Sequence, residues 1–166
     1  RPAFPNIEEL TQPKITLAGT KINPRLFCPD RLRPYRQPRL RNIRTGEERD
    51  IQGLPENVGL NYPSWSPMGD RLAFCVSEDE GLQLWVVDFE SLEAKAVGPA
   101  NLNNTLGGAP YDWRSETELV VQRRLPDQGK PPEKTSSGPT VRDSSGREAG
   151  NRTYTNLLKT KHDEAL

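Results

Sequence analysis

The sequence predicts an all-β fold, namely a partial β-propeller of about two four-stranded blades. Sixteen prolines and thirteen glycines divide the 166 residues into short strand-like segments and turns. The segment Tyr62–Phe74 recurs as Pro110–Val121, with its tryptophans 48 residues apart. Arg39–Ile43 likewise matches Gln83–Val87. A repeat of about 45 residues that holds four short strands is typical of a propeller blade.

The N-terminal segment, residues 1–38, is rich in proline and arginine. Asn6–Leu10 predicts one helical turn with Asn6 as its N-cap, and Pro13 ends it. Ile15–Leu17 predicts a short strand. The rest of this segment is expected to be extended, because proline lacks the amide donor that a central strand needs.

The next segment, residues 39–125, has the pattern of the blades. The predicted strands are Arg39–Arg44, Arg49–Leu54, Asn61–Ser66, Arg71–Ser77, Leu82–Phe89, Glu93–Val97, Ala109–Trp113 and Glu118–Leu125. Between two of them Pro67 sets the backbone angle of a tight turn, and Gly69 tolerates a positive φ there.

The remaining residues lose this pattern. Residues 126–152 predict a mobile loop with few apolar groups, and residues 153–166 a short helical segment that leads into a further blade. Both ends of the sequence are expected to be truncations.

Composition predicts neither a nucleic-acid partner nor a membrane partner. Twenty-three basic and twenty-three acidic side chains give a net charge of zero, and no apolar run approaches the roughly 20 residues of a membrane helix. The early arginines could still form a polyanion patch, but a solvated edge or a contact with another domain is favoured. They are Arg25, Arg31, Arg33, Arg36, Arg39, Arg41, Arg44 and Arg49.

Other side chains with possible chemistry have plainer interpretations. Cys28 and Cys75 have no metal-ligand spacing, and Cys75 lies in an apolar run, which favours a buried thiol. The acidic turn Glu78–Glu80 lacks the spacing of a calcium loop, and Glu47–Glu48 lies on a turn. No catalytic, cofactor-binding or metal-binding residue is therefore predicted.

The aromatic and asparagine motifs also have plain interpretations. Trp65, Trp85 and Trp113 could form a binding surface, although packing between blades is favoured because they occupy repeat-equivalent or alternating strand positions. Asn103 and Asn151 begin glycosylation sequons, which are short and commonly occur by chance.

The segment Trp65–Phe74 resembles the W-S-P-D-G motif of TolB-like and peptidase-associated propellers, with Met68 in place of the usual aspartate. The flanking segments resemble glutamyl endopeptidases of the prolyl oligopeptidase family. They are Pro5–Leu10, Leu17–Pro24, Leu102–Pro110, Lys130–Pro132, Ser137–Pro139, Arg152–Lys159 and His162–Leu166.

This resemblance implies a propeller that caps an α/β-hydrolase domain and filters the access of peptides to a Ser-Asp-His triad. The subgroup cleaves after glutamate, in secreted, periplasmic or organellar proteins. The chain has no Gly-x-Ser-x-Gly motif, and His162 is expected to be a solvated surface residue. The expected function is thus a non-catalytic portion of a peptidase, with a hydrolase domain in cis and peptide substrates as partners. The alternative is a TolB-like interaction module without hydrolase activity.

Overall fold

A computed structural model of the chain describes residues 7–17, 19–36 and 38–125. Within them lie one short helix and twelve strands. They are α1 (Ile7–Thr11), β1 (Ile15–Leu17), β2 (Thr20–Asn23), β3 (Cys28–Pro29), β4 (Tyr35–Arg36), β5 (Arg39–Arg41), β6 (Glu48–Asp50), β7 (Gly59–Trp65), β8 (Arg71–Glu78), β9 (Gly81–Asp88), β10 (Glu93–Ala96), β11 (Tyr111–Trp113) and β12 (Leu119–Val121).

The central sheet has the strand order β10-β9-β8-β7-β4 and is antiparallel throughout. Its consecutive strands β7 to β10 form a four-stranded meander, which is the arrangement of one propeller blade. The hairpins β5–β6 and β11–β12 lie before and after it in the chain, and β1–β2–β3 form a separate three-stranded sheet. The described part of the chain is thus all-β and fits a partial propeller.

Local side chains set the turns of the meander. Gly69 has a φ of 79° and donates its amide to the carbonyl of Ser66 at 2.9 Å, as a positive-φ turn position requires. The Ser66 hydroxyl donates to Asp70 Oδ1 at 2.9 Å. After β9, Asp88 Oδ1 accepts the amides of Glu90 (2.9 Å) and Ser91 (3.2 Å), which reverses the chain into β10.

The first face of the central sheet, which includes Ala73, Cys75, Leu82 and Leu84, packs against the β11–β12 hairpin. That hairpin contributes four apolar side chains to the same cluster, namely Tyr111, Trp113, Leu119 and Val121. The meander and the following hairpin therefore pack face to face, which is compatible with a partial propeller.

The second face of the central sheet packs against residues that precede the meander. Phe74, Val76 and Val87 form its buried centre, and Ile51, Leu54 and Val58 pack against them. Because both faces are covered, β8 has a continuous buried run from Ala73 to Val76 in place of a simple alternation.

The N-terminal segment differs most from the sequence-based expectation. The helical turn is confirmed as Ile7–Thr11, while its predicted cap Asn6 lies outside the described residues. The strand Ile15–Leu17 is confirmed, but β2, β3 and β4 were not predicted. The proline argument still holds at β3, since Pro29 lies in an edge strand of its sheet. β4 pairs with β7 through Tyr35 and Leu60, so the segment also adds a strand to the central sheet.

The predicted strand Arg49–Leu54 is shorter than expected. β6 ends at Asp50, and Gln52 then forms a parallel bridge with Glu93 at the far edge of the central sheet. The Gln52 amide donates to Leu92 O, and the Ala94 amide donates to Gln52 O. The predicted loop 126–152 and helical segment 153–166 lie outside the described residues.

Candidate functional site

Neither cysteine is available as a nucleophile. Cys28 and Cys75 are free thiols with 1% and 0% exposure in the core of the first face. Burial raises the pKa of each thiol from 9.0 to about 12, and for Cys28 the charge of Asp30 adds to the effect. Both thiols therefore stay protonated at neutral pH, and the prediction of a buried thiol at Cys75 is confirmed.

The early arginines lie on several elements, and Arg25, Arg39 and Arg41 contact carboxylates or backbone carbonyls. Arg39 faces Glu48 and Asp50 at 3.6 Å each, and Arg41 faces Glu48 at 3.7 Å, all within the β5–β6 hairpin. Arg25 Nε donates to the Asp79 carbonyl at 2.5 Å. These carboxylates reduce the positive field that a polyanion site would need. The expectation of no nucleic-acid partner stays a prediction.

The acidic turn joins the end of the sheet to neighbouring loops. Asp79 and Glu80 form the two-residue turn between β8 and β9, and their carbonyls accept hydrogen bonds from Arg25 and Arg124 respectively. Arg124 also donates to Ala100 O at 2.8 Å and lies 4.6 Å from the centre of the Phe27 ring. This cluster fixes backbone positions. Among the described residues, no group of three or more acidic, cysteine or histidine side chains is arranged to hold a metal ion.

Two of the three tryptophans pack as predicted. Trp113 contributes to the first-face cluster and donates its indole N–H to Ser64 O at 3.2 Å. Trp85 packs on the second face and donates to Gln83 Oε1 at 3.1 Å. Trp65 differs, because it is 54% exposed and stacks on Phe89 with 4.7 Å between ring centres.

The joint between the meander and the β11–β12 hairpin is held by polar contacts to the backbone of β7 and β8. β7 has a bulge between Asn61 and Ser64, where Tyr62 has a φ of 55°. The Tyr111 hydroxyl reaches this bulge and contacts the carbonyl oxygens of Tyr62 and, at 2.7 Å, Ala73. Burial raises the pKa of Tyr111, so the hydroxyl keeps its proton and can act as a donor.

A second contact joins the turns at the other end of the same two hairpins. The Met68 amide donates to Glu116 Oε1 at 2.5 Å, and Arg71 Nη1 donates to Glu116 O at 2.6 Å. Arg71 also lies 3.4 Å from Asp88. Sequence reasoning missed both contacts, although the repeat of Tyr62–Phe74 as Pro110–Val121 indicates which hairpins become neighbours.

An open groove of about 610 Å³ lies over the neighbouring strands β9 and β10. Its lining residues are Val86, Asp88, Glu90, Ser91, Glu93 and Lys95. The amides of Ser91 and Glu90 lower the pKa of Asp88, and Lys95 lies 3.0 Å from Glu93. Asp88 is thus held as a carboxylate by its own turn, which makes it unsuited to general acid chemistry at neutral pH.

Some candidate residues lie outside the described part of the chain. They include His162, the one histidine of the sequence, and the Asn151 sequon. Asn103, the other sequon asparagine, accepts hydrogen bonds from the amide (3.1 Å) and the hydroxyl (2.9 Å) of Thr105. No helix in the described ranges is long and apolar enough to cross a bilayer.

The chain is similar over its whole length to two curated plant proteins. It is 30% identical over 184 aligned residues to "Probable glutamyl endopeptidase, chloroplastic" from Oryza sativa subsp. japonica. It is 27% identical over 181 residues to the protein of the same name from Arabidopsis thaliana. These similarities support a peptidase-related family. The chain spans only 19% of the length of either relative.

Two further comparisons gave no relatives. No protein-family model matches the chain. No solved structure matches it either.

Proposed function

We propose that the chain is a non-catalytic propeller portion of a serine-type peptidase that resembles glutamyl endopeptidases. In this proposal it helps to control the access of peptides to an α/β-hydrolase domain elsewhere in a longer protein. The observation that carries the proposal is the end-to-end similarity to two proteins named as glutamyl endopeptidases, of which the chain spans 19%.

The packing of the central sheet is compatible with a gating wall. A wall that excludes substrates must keep its shape, and this sheet has apolar partners on both faces. Two residues of the following hairpin connect it to this sheet. Tyr111 contacts β8 through the Ala73 carbonyl, and Glu116 contacts the turn between β7 and β8 through Met68 and Arg71. A peptide-filtering role needs such a wall and needs no reactive side chain in it.

The peptidase part of the proposal is tested on the full-length gene product with a fluorophosphonate, which labels the activated serine of serine hydrolases. We expect labelling of the full-length protein and cleavage after glutamate in a mixed peptide library. Residues 1–166 alone should not be labelled. A full-length protein that folds, takes up no label and cleaves no peptide would favour the interaction module instead.

The gating part is tested with substrates of two sizes. A Tyr111→Phe variant loosens the joint between consecutive repeats, so cleavage of a long peptide should rise relative to that of a short reporter. Tyr35→Phe, which changes an exposed tyrosine, is the matched control. The ratio of long-peptide to short-reporter cleavage is compared among the unmodified protein and the two variants. If this ratio is the same in all of them, the chain does not gate access, even where the fluorophosphonate result supports a peptidase.

A further inference from the structure

Residues 30–34 form a short arm that joins β3 to β4. Leu32 packs against the first-face cluster, and Pro34 lies so close to Gly59 that a Cβ on this glycine would be 2.6 Å from the Pro34 Cβ. β4 then pairs with β7 at Gly59 and Leu60. The arm is therefore held on the central sheet at several points, so its conformation does not have to be created when a ligand binds.

Arg31 and Arg33 are the exposed side chains of the arm. Burial alternates along it, since these two arginines are exposed whereas Asp30, Leu32 and Pro34 are partly buried. A period of two is typical of an extended chain, and a residue that precedes proline also favours this conformation. The two guanidinium groups therefore project to the same side, from Cα atoms roughly 6.5 Å apart.

The positive charge of the arm has no compensating carboxylate within the described residues. Residues 30–36 contain three arginines and one aspartate, which gives them a net charge of +2. Neither Arg31 nor Arg33 forms an ion pair in the part of the chain that the structure describes. Arg39 and Arg41 differ, because carboxylates of the β5–β6 hairpin face them.

We propose that the arm is a binding surface for an extended acidic polypeptide segment, with Arg31 and Arg33 each facing one carboxylate. Guanidinium groups bind carboxylates through paired N–H donors. Side chains at positions i and i+2 of an extended peptide lie on one side with the same spacing as the two arginines, so Glu or Asp at these positions matches both. A nucleic acid is a less suitable partner, because its affinity comes from many phosphate contacts and this surface offers few cations.

Peptide binding to the full-length gene product tests the surface directly. The protein is first treated with the fluorophosphonate, so that an active serine cannot cleave the peptide, and binding is followed by fluorescence anisotropy at low ionic strength. We expect a fluorescein-labelled peptide of alternating Glu and Ser to bind, with an affinity that falls as salt is added. A peptide of the same composition in Glu-Glu-Ser-Ser repeats should bind several-fold more weakly, because its carboxylates lack the i, i+2 spacing. Equal binding of the two peptides, or binding of neither, would overturn the proposal.

Paired substitutions locate the binding site. Arg31→Gln/Arg33→Gln removes two positive charges from the arm and should weaken binding roughly tenfold, since two exposed ion pairs are lost. Arg39→Gln/Arg41→Gln removes the same charge from the β5–β6 hairpin and is the matched control, whose affinity should stay within about twofold of that of the unmodified protein. Circular dichroism verifies that both variants fold.

Three results would contradict an acidic-peptide site on the arm. They are an unchanged affinity in the arm variant, equal losses of affinity in the two variants, and stronger binding of a single-stranded oligonucleotide of the same charge as the peptide. Peptide binding needs no catalysis, so it is independent of the proposed peptidase function. A folded protein that takes up no fluorophosphonate label would count against the peptidase and leave the binding test unaffected.

Discussion

At the residue scale, the described part of the chain uses its reactive groups for packing. Cys28, Cys75 and Tyr111 are buried, and burial raises the pKa of all three. A thiol or phenol in this state is protonated at neutral pH and is a poor nucleophile. What Tyr111 supplies is a hydrogen-bond donor to backbone carbonyls beside the β-bulge of β7.

Removal of the Tyr111 hydroxyl should therefore lower the free energy of unfolding more than the loss of one exposed hydroxyl group would. Tyr111→Phe leaves the buried Ala73 carbonyl without this donor, which costs about 1–3 kcal/mol. The free energy of unfolding can be measured by urea titration in sucrose, an osmolyte that favours the folded state. Tyr35→Phe, at a 53% exposed site, should change it little. Equal stabilities of the two variants would argue against the bulge contact.

The two thiols should make the folded chain sensitive to alkaline pH. Their pKa values are about 12 in the folded state, raised from 9.0, so folding favours the protonated thiols. The resulting stability is fully present below pH 9 and is lost as the pH rises toward 12. Urea titrations at several pH values check this.

The control for the alkaline effect is the double variant Cys28→Ala/Cys75→Ala. It keeps Tyr62 and Tyr111, whose raised pKa values act in the same direction. Its unfolding free energy should fall less steeply with pH than that of the unmodified chain. Parallel pH profiles would mean that the thiols do not ionise on unfolding in this range.

At the element scale, the accuracy of the sequence-based predictions depends on how local the determinants are. The strands β7 to β10 were predicted to within about two residues, because their turns are set by nearby residues such as Gly69 and Asp88. The strands β2, β3 and β4 were missed, since each has two to four residues. β4 pairs with a strand more than twenty positions away, and no local pattern encodes such a pairing.

β8 should be the element whose core side chains matter most. Phe74 is fully buried on the second face, so Phe74→Ala leaves a cavity and should cost about 3–5 kcal/mol. The matched substitution Val120→Ala changes a 60% exposed side chain on β12 and should cost less than about 0.5 kcal/mol. Because the unmodified chain is itself expected to be marginally stable, Phe74→Ala should be largely unfolded even in sucrose, where Val120→Ala stays folded. Circular dichroism of both variants measures this, and a folded Phe74→Ala would contradict the packing of this face.

At the scale of the whole molecule, the described strands form four separate sheets with one four-stranded meander among them. Its edges are covered by β4 and by the bridge at Gln52, yet large apolar side chains such as Trp65, Val120 and Leu125 stay exposed. A complete ring of blades would cover such surfaces, and a piece of one leaves them open.

We therefore expect the isolated 166-residue chain to be marginally stable or to aggregate. Size-exclusion chromatography should show association that increases with protein concentration, and thermal unfolding should be broad or irreversible. A monomer with a sharp and reversible two-state transition would contradict this expectation.

The pattern of short strands and turns in the sequence follows from short-range chemistry. Turn residues, apolar strands and the repeat of Trp65 as Trp113 can be predicted from the sequence, because they depend on residues that are close together in the chain. Only the tertiary structure decided that Tyr111 contacts the bulge at Tyr62 and that Trp65 is exposed. It also decided that Glu116 accepts hydrogen bonds from the Met68 amide and the Arg71 side chain. A repeat in the sequence shows which positions are equivalent. The burial and hydrogen bonding of each position depend on which other strand packs beside it in the folded chain.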